Sequence, residues 1–233
     1  MSARRPDPKR PNPQRGEATR EAILQAAMEV FGEDGFHAAS TRRIAEAADA
    51  NQALISYHFG SKERLYEAVF EHIADRIEAL MGPLIDSATA EMEAAPRAGG
   101  VEVCTRLVLM LANGFVAMLT REESTPWARL ILREQQAPSR AFDILYQRLM
   151  GRVIGLLTRL VARIAGRHKV TDRDRLTALT VMGQALIFRA GRAAVMRHLG
   201  WTAIGQAEVA AIQERVAANV SAVLRASQRV ARG

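Results

Sequence analysis

A chain of 233 residues, 48% hydrophobic and 24% charged, suits one large domain or a small domain joined to a larger one, and this composition excludes bulk disorder. Its single cysteine, Cys104, excludes an intrachain disulfide and a multi-cysteine metal site and points to a reducing cytoplasm. The net charge of +7 favours a polyanionic partner, but it is uneven: +4 over residues 1–20, −4 over 21–60, −4 over 61–100 and +11 over the remainder.

Residues 1–16 hold four prolines and a set of arginines without an apolar core, and read as a disordered basic arm rather than a secretory signal. Helical periodicity then takes over. Thr19 is predicted to cap a first helix with Ile23, Ala27, Val30 and Phe31 on one face, and Gly35 to end it in a left-handed cap. Ser40 or Thr41 caps a second helix, "TRRIAEAA", with Ile44, Ala45 and Ala48 inward. Asp49 to Asn51 form a turn, Asn51 caps "QALISYHF" with Ile55 and Phe59 inward, and Gly60 closes it. Ser61 caps a fourth helix with Leu65, Val69, Ile73, Ile77 and Leu80 in register, and Pro83 is expected just beyond its end.

A loop, "AAPRAGG", follows at 94–100, then helices at about 101–121, 125–136, 139–166, 172–199 and 203–229. The longest apolar run, Leu107 to Leu119, is broken by Asn113 and falls short of the ~20 residues a bilayer needs. Nothing reads as a strand. The predicted fold is all-α: 17–63 a three-helix helix-turn-helix domain, 64–233 a helical ligand-binding and dimerisation domain.

Two short helices joined by a three-residue turn make a helix-turn-helix, whose second helix enters the major groove. Gln52, Ala53, Leu54 and Ser56 then face outward, with Tyr57 and His58 near the phosphate rim. Gln52 can pair with adenine and Leu54 can touch a thymine methyl. Thr41, Arg42 and Arg43 open the preceding helix and Lys62 the following one, where free N–H groups suit phosphate. The same pattern is compatible with an ordinary helical hairpin.

The run "TREAILQAAMEVFGEDGFHAASTRRIAEAADANQALISYHFGSKERLYEAV" closely resembles the N-terminal domain of TetR-type transcriptional regulators. Together with "REQQAPSRAF" and "QALIFRAGR" it is similar to the CecR-like subgroup of that family. The resemblance implies a homodimeric, ligand-responsive repressor that binds palindromic double-stranded DNA. It implies backbone contacts at Thr41, Tyr57, His58 and Lys62 and base contacts around Arg42, Gln52, Ala53, Leu54 and Ser56. Asp49 departs from the usual turn glycine, and Leu54 stands where a smaller or polar residue is common. Aspartate tolerates a left-handed backbone better than most residues, so the turn is expected to survive.

For a dimer interface the last two helices offer Gly183, Ala190, Gly191 and Ala194, and Ile212, Val216, Val220 and Val223. These residues could equally pack within the chain. For an effector pocket the middle helices offer Met110, Asn113, Met118, Trp127, Ile131, Arg133, Glu134, Tyr146 and Met150, with Phe188 and Arg189 from the next. An inward Arg133 or Arg189 without an acid would favour an anionic or carbonyl-bearing ligand. No catalytic residue, metal site, cofactor or membrane partner is expected. The five histidines lack metal-ligand spacing, Cys104 reads as core, and no phosphate loop, dinucleotide fingerprint or nucleophile elbow occurs. A ligand-independent architectural DNA-binding dimer is the alternative.

Overall fold

The computed structural model describes residues 13–96 and 100–230, and among these there are eleven α-helices and no strand. The chain divides into two compact units, residues 1–72 and 73–233.

The N-terminal unit comprises α1 (Pro13–Ala38), α2 (Thr41–Ala47), α3 (Gln52–Phe59) and the opening turns of α4 (Lys62–Ala94). α1 begins at Pro13 rather than at a Thr19 cap, so the end of the predicted arm is helical; the rest of the arm lies outside the described residues. Proline is tolerated at a first helical position, where its missing N–H has no acceptor to lose. Gly35 breaks α1 with φ 79° and ψ 168°, an extended conformation essentially confined to glycine rather than the left-handed cap expected. Ile23, Ala27 and Phe31 of α1 meet Ile44, Ile55, Leu65 and Val69 in a core where none is more than 2% exposed. Tyr66 sits 5.0 Å from each of Phe31, Phe36 and Phe70. The first turns of α4 thus complete the small core, which carries the compact unit to His72, beyond the 63/64 boundary read from sequence.

The C-terminal unit is built around α5 (Val101–Thr120), which packs against α8 (Gly151–Ile164), α9 (Asp172–Ala190) and α11 (Gln206–Val230). Cys104, Leu107, Val108 and Val116 of α5 are fully buried. By length and composition the whole of α5 could cross a membrane, although the shorter run within it read as too short; half of its apolar window is buried inside the bundle. Burial pushes the Cys104 thiol pKa up, as befits a core residue, with the Arg163 charge opposing.

α4 continues through Pro83, contrary to expectation. A mid-helix proline forfeits a hydrogen bond and costs ~3 kcal/mol, but Ile85, Ala88 and Met92 carry the buried face onward and offset it. Leu80 is turned out and Met81 takes the inward position. α6 spans Thr125–Gln136. The expected single helix at 139–166 runs as α7 (Arg140–Leu145), a π-helical turn at Tyr146–Met150, and α8. The expected helix at 172–199 breaks at Gly191 into α9 and α10 (Arg192–Leu199). A Cβ at Gly191 would lie 2.9 Å from Ile187 Cδ1 and 3.0 Å from Ile187 O. The N-terminus of α9 is closed by the buried Asp174 carboxylate, which accepts from Thr171 N at 2.9 Å, from Thr171 Oγ1 at 2.7 Å and from Arg167.

Candidate DNA interface and effector cavity

The α2–turn–α3 segment is locked at each junction. Ser40 Oγ accepts from Arg43 N at 3.1 Å and starts α2. Asp49 holds the turn at φ 47°, a left-handed conformation unusual outside glycine, as its side chain allows. Asn51 Oδ1 accepts from Ala53 N at 2.9 Å and starts α3. Gln52 Nε2 donates to Thr41 Oγ1 at 2.9 Å, tying the N-termini of the two helices together. Gly60, at φ 79°, stops α3, and Ser61 Oγ accepts from Arg64 N at 3.2 Å to start α4.

With Ile55 and Phe59 buried, Gln52, Ala53, Ser56 and Tyr57 are exposed and Leu54 and His58 half-buried. Tyr57 is 79% exposed, the most exposed of the large apolar side chains described, with the His58 ring 5.0 Å away. The predicted cations behave differently from one another. Arg43 donates to Glu33 Oε2 at 2.7 Å and to Asp34 Oδ2, and Arg42 Nε donates to Glu46 Oε1 at 2.9 Å. Hydrogen bonding and the charges of these acids raise both guanidinium pKa values. Lys62 forms no ion pair among the described residues, although its charge acts on the neighbouring Glu63 carboxylate; its Nζ lies 4.7 Å from the Phe36 ring centroid and donates to His37 O at 3.3 Å. The acids on α1 that engage Arg43 were not singled out from sequence; the negative balance of residues 21–60 was their only trace.

In the C-terminal unit a cavity of about 440 Å³ lies among α4, α5, α6, α7, the π-turn, α8 and α9. Of the predicted pocket residues, Met118, Trp127, Ile131, Tyr146, Met150 and Arg189 line it. Met110, Asn113, Arg133, Glu134 and Phe188 do not. Asn113 O accepts from Gln213 Nε2 at 3.1 Å on the α11 side. Glu134 is buried for another reason: its carboxylate accepts from Ser139 N at 2.9 Å and Ser139 Oγ at 2.8 Å ahead of α7. Successive helical residues point about 100° apart, so Arg133 misses a wall that Ile131 and Leu132 reach. Sequence reasoning missed Met81, Phe115, Phe142 and Met182, which look like any core residue in the linear pattern.

Among the described residues, Arg189 is the one charged side chain lining the cavity, and it is 7% exposed. Its Nε donates to Leu119 O at 2.7 Å and its Nη1 to Thr125 Oγ1 at 2.9 Å, while Nη2 reaches Arg121 O and Ser124 Oγ. Burial, then the neighbouring charges of Arg192 and Arg129, pull its pKa below the usual arginine value. A second hollow of about 670 Å³ borders Arg159, Arg163, Arg167 and His168. Its arginines have partners: Arg163 bonds Met92 O and Ala95 O, and Arg167 bonds Asp174.

The predicted interface residues separate into two groups. Ile212, Val216 and Val220 are at most 2% exposed within the chain, so the single inward face of α11 serves the bundle, where α11 packs chiefly on α5. Val223 and Gly191 are half-buried, whereas Gly183, Ala190 and Ala194 are exposed. Beside these lies an exposed apolar stripe on α9: Leu176, Leu179, Leu186 and Ile187, at 64%, 48%, 38% and 53%. Leu179, Gly183 and Leu186 also line the cavity.

A short helix capped at its start, stopped sharply at its end and turned with its polar side to solvent, ahead of a larger helical unit with an apolar chamber, is the build of a helix-turn-helix transcription regulator. The chain belongs to the TetR family. Residues 23–69 match the tetR family of bacterial regulatory proteins, and residues 104–227 match the C-terminal domain of the HTH-type transcriptional dual regulator CecR. The chain is similar to the dual regulator CecR of Shigella flexneri, 31% identical over 216 residues, which covers 92% of this chain and 96% of that protein. Its fold is shared with a TetR-family regulator of Mesorhizobium loti at 22% identity and TM-score 0.59, over 91% of this chain and 98% of that one. AibR, solved with isovaleryl coenzyme A and operator DNA, shares the fold at 15% identity and TM-score 0.62, over 85% and 96%.

Proposed function

We propose that the protein acts in the cytoplasm as a ligand-responsive homodimer. It binds a palindromic operator and releases it when a small molecule occupies the cavity of about 440 Å³. The observation that carries the reading is the pairing of an outward α3 face with this cavity in one chain. Repression is the expected sign, and the CecR relative is described as a dual regulator. Homologues that are regulators point away from catalysis.

In this reading residues 17–63 carry the DNA contacts and 64–233 the ligand and dimer contacts, with 1–16 a basic arm. Thr41, Tyr57, His58 and Lys62 meet phosphate, while Gln52, Ala53, Leu54 and Ser56 meet bases. Arg42 and Arg43 reach DNA only by exchanging their carboxylates for it. Dimerisation places two copies of α3 about 34–36 Å apart, in successive major grooves. The supporting surface is the α9 stripe with Gly183 and Ala190, flanked by exposed Ala211, Ala218 and Ala222 of α11. Effector and operator select different states of the dimer, and a coupling of ~1–3 kcal/mol changes operator affinity about 5–150-fold. The cavity favours this reading over an architectural dimer blind to ligands.

The test is selection of bound sequences from random duplex DNA, repeated with a panel of metabolites and drugs. A palindromic consensus released by at least one compound is expected. A strictly monomeric protein indifferent to every duplex at low salt overturns the reading.

A further inference from the structure

We propose that the effector is an amphiphile with one anionic head, such as a carboxylate, seated at Arg189, and an apolar body filling the rest of the cavity. The inference rests on the reading of this cavity as an effector site. Two observations carry it. The lining residues other than Gln135, Tyr146 and Arg189 are apolar or glycine, with Met81, Met118, Met150 and Met182 among them, which suits an adaptable hydrocarbon body. The one charge in that lining is a cation buried with no carboxylate partner among the described residues.

The partners of Arg189 are neutral. The carbonyls at the end of α5 and the hydroxyls of Ser124 and Thr125 accept from Nε, Nη1 and Nη2, which leaves an Nη1 hydrogen with no acceptor among the described residues. Partial negative charge at a helix C-terminus offsets some of the burial cost, up to about half an elementary charge. The rest is uncompensated, and Arg129 and Arg192 add charge of the same sign. A neutral ligand leaves that balance as it stands, a cation worsens it, and an anion relieves it. Breaking or making one charged partnership in a buried site is worth several kcal/mol before desolvation of the ligand, so the net preference for the anion is expected to be about tenfold or more.

Trp127 is 4% exposed and lines the cavity, which gives a direct fluorescence probe. The full-length protein is titrated with decanoate, decanamide and decylammonium below their aggregation thresholds, with calorimetry for stoichiometry. The expected result is one decanoate per chain, bound at least about tenfold more tightly than decanamide, with decylammonium weakest. Arg189→Gln abolishes the preference and Arg189→Lys keeps it. Equal or tighter binding of decanamide, or a preference that survives in Arg189→Gln, overturns the proposal. If Arg189→Gln fails to fold, the ranking of the three probes on the native protein still decides. Absence of all three from the cavity also overturns it; operator release by a neutral or cationic compound would then leave the effector reading standing, and release by no compound would remove both.

Discussion

Lys62 and Arg43 both lie where a phosphate is expected, yet the structure gives them different electrostatic standing. Lys62 has no ion-pair partner among the described residues; its Nζ engages the Phe36 ring and a main-chain oxygen, and its charge is felt by the adjacent Glu63. Arg43 is engaged by Glu33 and Asp34. Each phosphate neutralised contributes about 0.9 to the slope of log affinity against log salt. A dimer presents Lys62 twice, so Lys62→Gln should flatten that slope by about 1.8. Between about 50 and 200 mM salt this amounts to roughly a tenfold narrowing of the gap between variant and native protein. Arg43→Gln should weaken binding with little change of slope, because a guanidinium that leaves two acids for one phosphate gains little net charge neutralisation. The assay is fluorescence anisotropy of a labelled operator duplex across that salt range. Circular dichroism confirms folding, since the exposed cation–π contact is worth only ~0.5–1 kcal/mol. An unchanged slope for Lys62→Gln, or an equal flattening for both variants, would refute this assignment of the two cations.

Gln52→Ala should cost ~1–3 kcal/mol at one base pair of the operator, whereas Tyr57→Phe should weaken every sequence alike; binding to a library of single-base operator variants separates the two patterns. Ile187→Glu places a charge on the exposed α9 stripe and should yield helical monomers by sedimentation, while Ile212→Ala should cost ~2–5 kcal/mol of stability and leave the dimer intact; the reverse outcome would restore α11 as the interface. For Asp174, burial pushes the carboxyl pKa up, but the bonds from Arg167 and Thr171 outweigh it and hold the pKa below the usual value. The contribution of this carboxylate to stability is therefore fully present above an unfolded-state pKa of about 3.9 and is lost as pH falls through the folded value. Asp174→Asn should cost ~1–3 kcal/mol at neutral pH, and the deficit in denaturant melts should shrink as pH falls below about 3.9; a deficit independent of pH would place the role of this residue elsewhere.

The parts of the fold that were legible in the sequence are those governed by local chemistry. Ser40, Asn51, Gly60 and Ser61 act within a few residues of themselves, and each does what its type implies. Pro83 misled because local cost was outvoted by the apolar face that continues to Met92. The break at Gly191 was invisible because it depends on how closely the chain passes Ile187. Ile212, Val216 and Val220 formed a face that could meet either a partner or the same chain, and periodicity carries no sign for that choice. The exposed leucines of α9 escaped notice because a stripe facing solvent and one facing a core have the same spacing. Within the cavity, Arg189 was legible as a polar group among apolar neighbours; its lack of an acid was a fact of three dimensions.

Ligand release, as proposed, needs an element in the cavity wall whose state a ligand can bias. One wall is formed by α4, through Ile77 and Met81. Another part of the wall is the π-turn, through Tyr146, Leu149 and Met150. Between them, Arg148 Nη2 bonds Asp75 at 2.6 Å and Glu78 at 3.1 Å, and Arg152 bonds Glu78 at 3.0 Å and Asp86 at 2.8 Å. A π-turn is a rare geometry that recurs at functional sites. If its extra residue is lost to ordinary helix, the side chains beyond it rotate by about one residue's angle, ~100°, and Arg148 and Arg152 cannot both keep their carboxylates. Partly exposed ion pairs are worth about 0–1 kcal/mol each. Exchanging this set therefore spans the ~1–3 kcal/mol that allosteric coupling requires. A ligand that binds one state of the π-turn better by about this amount would therefore shift its population, and with it the carboxylates of α4 that Arg148 and Arg152 engage.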